Sequence, residues 1–185
     1  MNIAVYLGSS GGNAPEYAAL ARDFGAWIGK AGHSLIYGGT ATGLMGELAS
    51  SALENGAKVT GVLPDVPVIM ARRHPGLTEC ICTASVAERR SRMIELADGF
   101  VALPGGLGTV DEISEVMSLA SLKILAQPIV LLGANGYYEP VKAWLKHMID
   151  AGFSRPEYYF NTLITESIAE AGSFLTLHNP SVKQH

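Results

Sequence analysis

The sequence predicts an α/β fold, a single-domain, doubly wound, mainly parallel sheet with helices on both faces. Two observations carry that expectation. Short, almost unbroken apolar runs alternate with longer segments of helical periodicity, the pattern of strands buried on both sides by crossover helices. Glycine-rich loops at 8–12, 38–43 and 104–108 each follow one of those apolar runs. Doubly wound sheets carry ligand loops at the carboxyl ends of their strands, so the spacing predicts that all three loops share one rim.

Ile3 to Leu7 is the first expected strand, and Gly8-Ser9-Ser10-Gly11-Gly12 is its loop. A helix starts at Asn13-Ala14-Pro15-Glu16: Asn13 or Ala14 caps it, Pro15 suits the first turn, and Glu16 offers a capping box. Its apolar face, from Tyr17 through Phe24 to Ile28, runs to a stop at Gly32. Ser34 to Tyr37 is the second strand, followed by the loop Gly38–Gly43 and a helix to Asn55 that Gly56 closes. Lys58 to Leu63 is the third strand, and three prolines with two arginines predict a loop from Pro64 to Gly76. Thr78 to Thr83 is a fourth strand, Ser85 to Ala97 a helix with Val86, Met93, Ile94 and Ala97 on its buried side, and Gly99 to Leu103 a fifth strand. A long helix from Gly108 to Leu125 follows, then a strand at Pro128 to Leu132 and a helix from Tyr137 to Ala151. A short strand near Leu163 and a helix from Glu166 to Phe174 complete a single domain over 1–178, with 179–185 as a flexible C-terminal tail.

Composition narrows the function classes. With 48% apolar and 16% charged residues over 185 positions, the chain is expected to form a packed globule and not a disordered segment. A net charge of −4, with no basic run beyond Arg89-Arg90-Ser91-Arg92, argues against nucleic acid as a partner. No apolar stretch approaches the ~20 residues of a membrane span, and no charged leader precedes the first strand, so a cytoplasmic chain is expected. Cys80 and Cys82, the two cysteines, share one face of an expected strand. That geometry suits neither a mutual disulfide nor a zinc site, and both read as buried, reduced thiols.

The most informative segment is Leu103-Pro104-Gly105-Gly106-Leu107-Gly108-Thr109-Val110-Asp111-Glu112, at a strand-to-helix junction. Backbone amides there approach an anion closely, and the helix N-terminus adds partial positive charge, so phosphate is the expected guest. Glu112 stands one turn into the helix, beside that cradle, where two negative groups repel. Acidic residues at helix starts commonly complement the dipole, a part that Asp111 and Glu115 also suit. Three glycines exceed what a plain helix start needs, which favours a catalytic carboxylate. On the preceding helix, an arginine of the Arg89-Arg90-Ser91-Arg92 run at the edge of the apolar stripe is placed to reach the same rim and offer a fork to a phosphate or to Glu112.

Other chemistries fit less well. Gly43 is followed by Leu44 and not by the Lys of a Walker A loop, and neither early glycine loop has dinucleotide-fingerprint spacing. Gly8-x-Ser10-x-Gly12 matches a serine-hydrolase elbow as a string, but the following helix is delayed to Pro15, and no histidine carries a triad signature. Ser9 and Ser10 read instead as phosphate or ribose donors.

Gly38-Gly39, Gly43-Leu44-Met45-Gly46, Glu88-Arg89 and Pro104-Gly105-Gly106-x-Gly108-Thr109-x-x-Glu112 together resemble the Lonely Guy (LOG) family, cytokinin riboside 5′-monophosphate phosphoribohydrolases often labelled lysine decarboxylases. The similarity runs from Gly8-Ser9-Ser10 to Asn135-Gly136-Tyr137-Tyr138. It implies a Rossmann-like nucleotide-binding domain, a homodimer, and hydrolysis of the N-glycosidic bond of a purine nucleoside 5′-monophosphate, cytokinin-type or AMP. By match to its motif, Arg89 and Glu112 form the catalytic pair, and Gly105, Gly106, Gly108 and Thr109 form the phosphate loop. Ser9, Gly39, Thr40, Gly43, Met45, Arg90, Pro104 and Leu107 complete the expected substrate-binding set. The chain departs from the family pattern at Val86-Ala87, at Thr40 and at Met117-Ser118-Leu119-Ala120.

Neither a metal nor a cofactor is required by this scheme. A pyridoxal-phosphate decarboxylase would need a Schiff-base lysine, and none of Lys30, Lys58, Lys123, Lys142, Lys146 or Lys183 lies in a rim loop. The competing expectation is a non-catalytic carrier or sensor that holds a phosphorylated ligand on the same rim. Apolar residues cover more than one face of the helix from Gly108 to Leu125, which independently predicts self-association.

Overall fold

The computed structural model describes residues 1–178, so the expected tail at 179–185 lies outside the described residues. Seven strands form one sheet: β1 (Asn2–Tyr6), β2 (Ser34–Tyr37), β3 (Lys58–Pro64), β4 (Glu79–Thr83), β5 (Gly99–Ala102), β6 (Ile129–Leu132) and β7 (Thr162–Thr165). Their order is β4-β3-β2-β1-β5-β6-β7, and every pairing is parallel, with Ile3 opposite Leu35 on one side and Ala4 opposite Phe100 on the other. The winding reverses between β1 and β5, which opens a crevice at their carboxyl ends.

The helices are α1 (Pro15–Lys30), α2 (Gly43–Glu54), α3 (Pro67–Met70), α4 (Val86–Leu96), α5 (Leu107–Ser121), α6 (Glu139–Asp150) and α7 (Ile168–Leu177). Two apolar layers sandwich the sheet. Alternation along β1 sends Ile3, Val5 and Leu7 toward Phe24 of α1, Leu48 of α2 and Leu175 of α7, and sends Ala4 and Tyr6 toward Met93 of α4 and Val116 of α5.

Several local expectations are corrected. The segment 64–76 is not all loop: α3 forms within it, and the following residues strap the second glycine loop through Ala41 N–H to Arg72 O (2.8 Å) and His74 N–H to Gly39 O (2.9 Å). The long fifth helix ends at Ser121, where Lys123 adopts a positive φ of 60° and terminates the helical turn. Val86 is exposed instead of buried, because only the Met93 side of α4 meets the sheet. Glu16 closes no capping box, since Ala14 is the N-cap and has no side-chain oxygen to accept from the first-turn amides. Cys80 and Cys82 are reduced as expected but not buried, because β4 is an edge strand and Cys82 faces solvent.

Candidate active site

The three glycine loops converge on the rim above β2, β1 and β5. Gly8 N–H donates to Pro104 O at 3.1 Å, which ties the first loop to the third. Gly43 has a φ of +58°, and a Cβ there would collide with the Ser9 backbone, so the second loop needs glycine at that point to dock on the first. Leu44 N–H then donates to Ser10 O at 3.4 Å. Ser9 and Ser10 are both exposed on this rim.

The structure brings the two residues of the expected pair together. Arg89 Nη1 of α4 lies 2.9 Å from Glu112 Oε1 of α5, with Arg89 half-buried and Glu112 only 6% exposed. Arg89 Nε donates to Val62 O at 3.1 Å, anchoring the guanidinium to the end of β3. A Cβ at Gly38 would stand 2.6 Å from Arg89 Nη2, so that glycine leaves room for the guanidinium. The contact is one of charge and not of an aligned hydrogen bond: Glu112 Oε1 stays buried with no N–H pointed at it. Burial raises the Glu112 pKa above the usual carboxylate range, and the Arg89 charge only partly opposes that rise. Beneath the pair, Tyr6 keeps its phenol protonated, pushed far up by burial and by the neighbouring Glu112 charge.

Beside the pair, the third loop presents free amides. Thr109 and Val110 donate to Gly106 O at 3.0 and 3.1 Å, whereas the N–H groups of Gly106, Leu107 and Gly108 find no partner among the described residues. Space above Gly106 and Gly108 is open, Leu107 is 89% exposed, and Pro104 and Thr109 are buried beneath. A helix start with unpaired amides and no obstruction is competent to hold an anion.

The remaining expected residues fall close by, with different partners. Thr40 Oγ1 donates to Met45 Sδ at 3.1 Å, and Met45 also packs against Gly38, so both belong to the wall behind Arg89. Gly39 carries a φ of +80° at the start of the strapped loop. Arg90 is paired with acids of α5: its guanidinium sits 2.6 Å from Asp111 and 2.8 Å from Glu115. Glu88 is a capping group, its carboxylate accepting from Ala84 N–H (2.8 Å) while Ser85 Oγ accepts from Glu88 N–H (3.1 Å).

Tyr137 is the residue that the sequence reading left out of the site. Its hydroxyl accepts from Gly105 N–H at 3.3 Å and donates to Gly105 O. The available signal was a fourth glycine-containing turn, Gly133-Ala134-Asn135-Gly136, leaving the adjacent strand β6 on the same rim. Among the described residues no cluster of His, Cys, Asp and Glu suits a metal, and no lysine stands among these site residues.

Fold and site together define a doubly wound α/β protein with an amide-lined anion loop beside a buried arginine–carboxylate pair. The family described as "Possible lysine decarboxylase" matches residues 45–172. A cytokinin riboside 5′-monophosphate phosphoribohydrolase of Rhodococcoides fascians is 35% identical over 97% of this chain and 90% of its own. The enzyme LOG7 of Arabidopsis thaliana, of the same description, is 36% identical over 83% of this chain and 71% of its own. The chain therefore belongs to the LOG family, the group matched under the older decarboxylase description. A molybdenum cofactor binding protein of Rippkaea orientalis superposes with a TM-score of 0.72 over 95% of both chains at 20% identity, a likeness of fold alone.

Proposed function

We propose that the protein hydrolyses the N-glycosidic bond of a purine nucleoside 5′-monophosphate, AMP or an N6-substituted analogue, to free base and ribose 5-phosphate. The observation that carries this reading is the buried Arg89–Glu112 pair standing beside the unpaired amides at the start of α5. The amides hold the 5′-phosphate, and that remote binding orients the sugar so that C1′ lies over Glu112. Glu112 takes a proton from the attacking water and offsets positive charge at C1′ as the C1′–N9 bond breaks; the purine leaves with its electron pair and is protonated. A carboxylate with a raised pKa is suited to that exchange near neutral pH. Arg89 holds Glu112 in place and limits the rise in its pKa. No step uses a Schiff base, in keeping with the phosphoribohydrolase relatives and against a decarboxylase assignment.

The test is base release from AMP and N6-substituted AMP, followed by chromatography. Glu112→Gln keeps the shape of the site and is expected to lower kcat by at least ~10²-fold, the scale of losing a general base, while nucleotide still binds. Turnover retained in that variant sinks the assignment. Binding without turnover in the wild type makes the protein a carrier. The reading extends to a homodimer formed through the apolar faces of α5 and α6, where Val110 and Trp144 are exposed, and through the turn after α5, where Leu122 and Ile124 are exposed.

A further inference from the structure

We infer that Tyr137 is a positioning residue that latches the phosphate loop, occupying both backbone groups of Gly105 and leaving the anion to the amides of Gly106, Leu107 and Gly108. The inference rests on the reading of that loop as the cradle of the 5′-phosphate and adds which amides serve it. A phenolic hydroxyl has one proton and two acceptor positions, so a single Tyr137 oxygen satisfies the N–H and the C=O of Gly105 together. Gly105 is thereby fixed at the switch point, where a Cβ would collide with the Thr109 hydroxyl and would come within 2.8 Å of Gly8 N.

The ring itself is firmly seated. Tyr137 meets Tyr17 edge-on at 5.6 Å and Tyr138 edge-on at 5.0 Å. Tyr17 in turn underlies Gly12, where a Cβ would stand 2.8 Å from its ring. One side chain therefore joins the loop after β6 to the phosphate loop directly and to the loop after β1 through Tyr17. An anion arriving at the third loop meets a Gly105 amide already engaged and a peptide plane already set. The three following amides then point outward without reorganisation, which is the pre-organisation that tight anion binding needs.

The experiment compares the wild type with Tyr137→Phe, which keeps the ring contacts and deletes the latch. Tyr138→Phe is the control, because its hydroxyl donates to Leu103 O (2.8 Å) in the buried layer. Ribose 5-phosphate binding is measured by calorimetry, AMP turnover by base release, and exchange of the Gly105 amide by deuterium labelling. Tyr137→Phe is expected to raise Kd for ribose 5-phosphate and KM for AMP roughly tenfold, about one hydrogen bond. Its kcat stays within about twofold, and Gly105 exchange accelerates. Tyr138→Phe is expected to lower the melting temperature and leave both constants unchanged. If Tyr137→Phe leaves Kd and KM within twofold of the wild type, or Gly105 stays protected, the latch is wrong. A wild type that binds ribose 5-phosphate tenfold better than Tyr137→Phe, yet releases no base, removes the hydrolytic reading and upholds the latch. A wild type that does not bind ribose 5-phosphate overturns it.

Discussion

Glu112 sits where two physical effects oppose each other. Burial favours its neutral form, the Arg89 charge favours the ionised form, and burial is the larger of the two. The sign of a pH experiment follows. If ionised Glu112 takes the proton from water, kcat/KM rises with pH through its raised pKa, so the acid limb lies above the ordinary carboxylate value of about 4.3. Arg89→Gln removes the largest influence that lowers this pKa, leaving only the weaker one of Arg90, and retains an amide able to reach Val62 O. The acid limb is then expected to move to still higher pH, with a lower rate at neutrality. A profile of kcat/KM from pH 5 to 9 checks it, and an unmoved limb would show that Arg89 does not control Glu112.

At the scale of elements, α1 and α2 approach closely, down to their carboxyl ends. A Cβ at Gly25 of α1 would stand 2.5 Å from Leu48 O of α2, and one at Gly29 the same distance from Asn55 O. These obstacles are backbone, which cannot swing aside. Gly25→Ala gains about 1 kcal/mol of helix propensity but overpacks the contact by about 1–3 kcal/mol. A net loss of up to about 2 kcal/mol, or up to about 8 °C in Tm, is expected in thermal unfolding; a stabilised variant would show that the helices slide apart at little cost. None of this proximity is visible in the sequence, where Gly25 reads as a weak point in a helix. What the sequence did carry was the strand runs, legible because both faces of a parallel strand are apolar, and the Glu112 loop, legible because its glycines and carboxylate adjoin. From the residues alone, an arginine of α4 was legible only as a reach toward the rim, and the family resemblance singled out Arg89, since α4 and α5 meet through tertiary packing. Tyr137 and the 72–76 strap escaped for the same reason: each acts on a loop more than 30 residues away. The cysteines misled because burial was read from residue type, and strand order alone decides which strand is the edge.

The whole molecule leaves one side unfinished. Although α6 is amphipathic, none of its residues is buried, and Trp144 is 57% exposed. Between α5, α6 and the turn at 156–159 lies an apolar cleft of about 450 Å³, lined by Val110, Ile113, Met117, Val141, Leu145 and Met148. Phe153, Leu122 and Ile124 stand exposed in the same part of the chain. Scattered apolar residues on a surface are ordinary, but a contiguous cleft with exposed aromatic and aliphatic groups calls for a cover. The proposed second copy, related by a two-fold axis, would supply the same apolar face in return, which is how homodimers close. Gly105 and Thr109 also line the cleft, so such an interface would adjoin the phosphate loop. Sedimentation of the wild type at micromolar concentration is expected to give twice the chain mass. Trp144→Glu sets a charge in the apolar interface of both copies and is expected to yield a monomer with unchanged secondary structure by circular dichroism. A wild type that sediments as one chain assigns this face to another partner, and a dimeric Trp144→Glu variant moves the interface elsewhere.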